Sequence, residues 1–192
     1  MTRGPGDTHA TPDLAAFDEL PLETVEEAAG ELIRRITVAM RDIGESRADD
    51  ATGRDPSPRR RVAALAVLTE LACSTFAAAA AGVVPLGGRV DRHPAAIAAV
   101  MYAAPTVPAL LQRIEQDRRM LASHARGLAH RLDEVAGGAW PKATLRSLLS
   151  EVALAAPAEC AQELDALLRR WDEAERAALE RAIARDQGAA DL

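Results

Sequence analysis

Between Val62 and Gly88 the chain carries one charge, the carboxylate of Glu70. An apolar run of that length must be buried somewhere. An ionised carboxylate inside it costs several kcal/mol unless it is paired, hydrogen-bonded or neutralised by proton uptake. The segment therefore predicts a helix packed on most of its faces, and Glu70 must either reach the edge of that packing or meet a specific partner.

A lipid bilayer is one way to bury such a run. Arg59, Arg60 and Arg61 precede about 27 nearly uncharged residues, which is span length. Against a span stand Glu70 near its middle, several hydroxyls, and alanine as the main residue. A central helix in a helical bundle is the expectation, and a membrane is disfavoured. About a fifth of the residues are alanine, the strongest helix former, and aromatic residues make up only 3%. A core built from Leu, Val, Ile and Ala with close helix approach follows, so the expected fold is all-α: one domain, a bundle of five or six helices with Ala-rich central helices. A single lysine, Lys142, and no asparagine fit a GC-rich genome and suggest a high-GC bacterial source.

The formal net charge of -6 argues against nucleic-acid binding, which needs a net basic face. The local cluster Arg59-Arg60-Arg61 lies beside Pro56 and Pro58 and reads as a solvated linker. Cys73 and Cys160 fall on apolar helix faces in separate segments and are expected as buried, reduced thiols. Met1 to Asp13 is polar and rich in Pro and Gly, without the apolar stretch of a signal peptide, so a cytoplasmic location is expected.

Along the chain, residues 1–20 read as a flexible N-terminal segment, 21–187 as the bundle and 188–192 as a tail. Leu22, Val25, Ala29, Leu32, Ile33, Ile36, Met40 and Ile43 form a clean helical stripe. Gly44 to Pro58 reads as a mobile linker. The segments 60–82 and 94–104 are expected innermost. A long helix from Pro108 to Ala136 presents Leu110, Ile114, Leu121, Leu128 and Leu132, and Gly137-Gly138 stops it. Pro141 is expected to start a short helix with Leu145, Leu148, Leu149 and Val152, and Pro157 the last one. There Cys160, Leu164, Leu167, Trp171, Ala174 and Ala178 make a seam of alternating threes and fours, to be buried in the bundle or across a dimer contact.

No Glu-x-x-His, His-Glu-x-x-His, Cys-x-x-Cys, Gly-x-Ser-x-Gly or phosphate-cradling glycine motif occurs, so no metal site and no cofactor is expected. The residues left to carry chemistry are few. Glu70, His93 and His124 are the candidate catalytic groups; Arg89, Arg92, Asp117 and Tyr102 are candidate ligand-binding groups. The loop bearing Arg89, Arg92 and His93 lies between two apolar segments, where it can present polar groups to a pocket. Arg113, Asp117, Met120 and His124 share the edge of a core face. Two functions follow. The first is a non-catalytic helical regulatory or accessory module, acting through self-association or a protein partner. The second is a small cofactor-independent enzyme or small-molecule-binding protein of bacterial specialised metabolism, with a pocket between the central helices and Glu70 as acid or base.

Overall fold

The computed structural model describes residues 19–51, 55–85 and 87–190, with the side chains of 185–190 outside the description. The N-terminal segment expected over 1–20 therefore lies almost wholly outside the described residues. Helix α1 (Leu22–Arg47) buries Val25, Ala29, Ile33, Ile36, Ala39, Met40 and Ile43, the stripe expected from its spacing. Gly44, at φ 73°, breaks its last turn, a backbone position that glycine adopts without the Cβ penalty.

Helix α2 (Pro58–Ala80) begins where Ser57 Oγ accepts from the Arg60 amide and proline occupies the first turn. It is the apolar segment flagged by the sequence. By length and composition it could cross a membrane, and 61% of its most apolar window is buried inside the bundle. It packs chiefly against α4 (Val107–Gly127), while α1 packs against α4 and α6 (Ala156–Ala190). One core cluster gathers Met40, Val62, Leu110 and Leu164; a second gathers Phe76, Leu132, Trp140 and Leu148. Each fully buried side chain of this size contributes roughly 1.5–3 kcal/mol. Both cysteines are buried and free.

Helix α3 (Pro94–Ala103) departs from expectation. It is not innermost: only Ile97 and Val100 are buried, and Tyr102 is 90% exposed. Its lack of charge had suggested deep burial, but small alanines hide little area, and two anchors suffice to hold ten residues against α2. The linker also differs. Residues up to Arg47 are helical, and Ala48 is fully buried. Arg59 is no solvated residue either. It is 5% exposed, bonds the Pro105 carbonyl, and pairs with Glu45 and Asp49. Glu45 in turn accepts from the Val107 amide at 2.8 Å. The basic cluster thus ties the end of α1 to the starts of α2 and α4.

The long helix ends at Gly127, well short of Ala136. A 3₁₀ turn (Ala129–Arg131) leads into an antiparallel hairpin, β1 (Val135–Gly137) and β2 (Trp140–Thr144). Gly137 and Gly138 both take positive φ there, which makes them a hairpin turn rather than a helix stop. Pro141 lies in β2, and helix α5 (Leu145–Ser150) starts only after Thr144 caps it. A π-helical turn (Glu151–Ala155) then runs directly into α6, so Pro157 sits in a continuous helical path. The wider turn absorbs the hydrogen bond that proline cannot donate.

Candidate functional site

One face of α2 carries Arg60, Arg61, Ala64, Leu65 and Leu68, positions three and four apart. Opposite it, the π turn and α6 present Glu151, Ala155, Ala156, Glu159, Cys160 and Glu163. The loop before α3 closes the third side with Arg89, Asp91 and Arg92, and Ile97 stands behind them. These elements enclose a cleft of about 560 Å³, the size of a small-molecule pocket. Its middle is apolar and its rim is charged.

The charged groups are arranged in two fixed sets. Arg61, mostly buried, pairs with Glu163 across the cleft. Arg89 grips Asp91 through two bonds, Nε to Oδ1 at 2.7 Å and Nη2 to Oδ2 at 3.0 Å. It also reaches Glu151 at 3.1 Å and lies 5.0 Å over the Trp140 ring. Trp140 Nε1 donates to the other oxygen of Glu151 at 3.0 Å. The bond from Arg89 holds the carboxyl of buried Asp91 below its ordinary value, against the opposing effect of burial. This network fixes the loop and couples the hairpin to the cleft wall. On the floor, burial pushes the Cys160 thiol up to about 12, so it stays protonated at neutral pH and is a poor nucleophile. Three side chains of the rim stand apart: among the described residues, the side chains of Arg60, Arg92 and Glu159 make no hydrogen bond or ion pair.

Of the groups singled out from sequence, Arg89 and Arg92 line this cleft; Glu70 does not. Glu70 projects toward α4, where Arg113 Nε donates to Oε1 at 2.6 Å and both side chains remain about one-third exposed. The solitary acid of the apolar run thus sits at the edge of the packing and also meets an arginine. Asp117 lies beside it, 6% exposed, with Oδ2 unpartnered. Burial first, then the charge of Glu70, raises its carboxyl to about 6, and a proton there would bridge it to Glu70. Cys73, whose Sγ lies 3.7 Å from the Asp117 carbonyl oxygen, is pushed up to about 12, again mainly by burial.

The other candidates are dispersed. His93 caps α3, its Nδ1 accepting from the Ala95 amide at 3.2 Å. His124 is half-buried in the last turn of α4. Tyr102 projects from the outer face of α3. Glu70, His93 and His124 therefore do not form one catalytic cluster. Asp91, Glu151, Arg61, Glu163 and Cys160 were missed by sequence reasoning, because they come from separate segments with no shared spacing. Among the described residues no group of three or more His, Cys, Asp or Glu side chains is disposed to hold a metal ion. Compared with protein-family models, with curated proteins and with solved structures, the chain has no significant match.

Proposed function

We propose that this protein is a small-molecule-binding helical module, regulatory or accessory in role, whose ligand occupies the cleft between α2, α6 and the 89–92 loop. The observation that carries this reading is the cleft itself: drug-sized, with an apolar middle walled by Leu65, Leu68 and Ile97 and a rim of charged side chains. Binding rather than chemistry is favoured because Arg61, Arg89, Asp91, Glu151 and Glu163 are committed to ion pairs. The thiol on the floor is held protonated.

The test uses an uncharged fluorescent apolar probe, N-phenyl-1-naphthylamine, with the protein and with Ala64→Phe, which fills the cleft from its half-buried wall. Saturable binding to the wild type, weakened at least tenfold in the variant, is expected. Equal binding by both at unchanged thermal stability would move the site elsewhere.

A second reading, self-association, rests on α6. Beyond Trp171 the helix leaves the bundle, with Leu179 62% and Ile183 48% exposed. These side chains are four residues apart on one flank, and a second copy is the occupant proposed for it.

A further inference from the structure

We propose that the ligand of this cleft is an amphipathic zwitterion, a short apolar peptide with free amino and carboxyl ends being the form that fits. The inference rests on the reading of the cleft as a binding site and adds the charge of its occupant. The four arginines of the rim face four carboxylates, Asp91, Glu151, Glu159 and Glu163. A wall balanced overall has no net positive field to draw in a polyanion, so a nucleotide or polyphosphate gains little long-range attraction there.

The balance is uneven locally. Arg61 with Glu163, and Arg89 with Asp91 and Glu151, satisfy one another. Among the described residues the Arg60 and Arg92 guanidiniums and the Glu159 carboxylate make no hydrogen bond or ion pair, Arg92 acting on Asp91 only through its charge. A purely anionic guest leaves Glu159 unanswered and meets its repulsion; a cationic guest does the same to the arginines. A guest with one group of each sign answers both, with charge-assisted hydrogen bonds formed in a partly desolvated cleft. Its body must be apolar, because Ala64, Leu65 and Leu68 between the charged groups offer no donor or acceptor from their side chains. The α2 wall from Arg60 to Leu68 covers eight residues of rise, about 12 Å. Three extended residues span about 10 Å.

The probe is tri-leucine, compared with its N-acetyl, C-amide and doubly capped forms, each displacing N-phenyl-1-naphthylamine and each followed by Trp140 fluorescence. Trp140 is the reporter because it touches Glu151 at the cleft wall. Tri-leucine is expected to displace at least tenfold more tightly than any capped form. Arg60→Gln with Arg92→Gln should erase the advantage of a free carboxyl and leave that of a free amine. Glu159→Gln should do the reverse. All three side chains are exposed at the rim, so folding is preserved, and a matching thermal melt checks it. If the naphthylamine binds but the four peptides displace it equally, or none does, the zwitterion is wrong and the binding site stands. A loss of probe binding altogether overturns the site, and the zwitterion with it.

Discussion

Asp117 carries a cost at neutral pH that its neighbours do not cancel. Its Oδ2 has no partner, it is 6% exposed, and the Glu70 carboxylate lies close by. Only Arg113 acts in the opposite direction, and Arg113 is bonded to Glu70. The folded value of about 6, against an ordinary 3.8, fixes the sign. Below pH 4 the group is protonated in both states, and the fold keeps its full stability. Between about 4 and 6 the folded form alone holds the proton, so stability falls as pH rises. Above 6 the cost is complete, on the order of 3 kcal/mol for two pKa units. Asp117→Asn should therefore raise the Tm at pH 7.5 while leaving it little changed at pH 4, the gap opening between pH 4 and 6. An equal shift at both values would show that Asp117 does not titrate in this window. The helix spacing placed Asp117 with Arg113 on one edge of a core face, and that much was legible. Its meeting with Glu70 was not, because the register between α2 and α4 is set by packing along their whole length. Arg59 and Arg61 were misread for a related reason: a basic triplet beside prolines looks solvated, and only partners at the end of α1, at Pro105 and on α6 bring the two inside.

At the scale of elements, helices were readable and the hairpin was not. The stripe of α1, the apolar run of α2 and the core face of α4 each repeat for several turns, so the 3.6-residue period dominates. β1 and β2 supply three and five residues, with a proline in the second. A pair that short has no period of its own and is marginal without packing. Here Ala136 and Trp140 bury against the cluster around Phe76. The turn is the fragile point. Gly138 has φ +53°, and a Cβ added there would lie 2.9 Å from the Pro85 ring and 3.0 Å from its carbonyl oxygen. Gly138→Ala should cost about 1–3 kcal/mol through the strained φ and the displaced 83–85 segment. Gly127→Ala, at the end of α4 with open space around it, is the control. It should be neutral or stabilising by up to about 1 kcal/mol. Urea midpoints with unchanged m-values read both. A neutral Gly138→Ala would mean that the hairpin does not press on Pro85 in solution.

For the molecule as a whole, the division of α6 decides how it meets other copies. As far as Leu167 the seam is core: Cys160, Leu164 and Leu167 are buried. Trp171 is half-buried, with the Arg47 guanidinium stacked 3.9 Å over its ring, and Ala174 and Ala178 are exposed. The seam expected across all six positions is therefore filled by the bundle for its first half only. From Asp172 to Ala184 the helix runs on for about 20 Å, past the last side chain the bundle buries. An isolated helix of that length is marginal in water, so this part draws its order from the anchored half and from any partner it finds. Deleting residues 177–192 removes Leu179 and Ile183 but keeps Trp171, Arg47 and the Glu175–Arg47 ion pair. The Tm of this truncated chain at high dilution should fall by no more than one or two degrees, since little buried area is lost. If a second copy covers the overhang, the full chain should sediment as a dimer at micromolar concentration and the shortened one as a monomer. Identical masses for both would refute self-association through α6. A large fall in Tm at dilution would instead make the distal half of the helix part of the bundle's own stability.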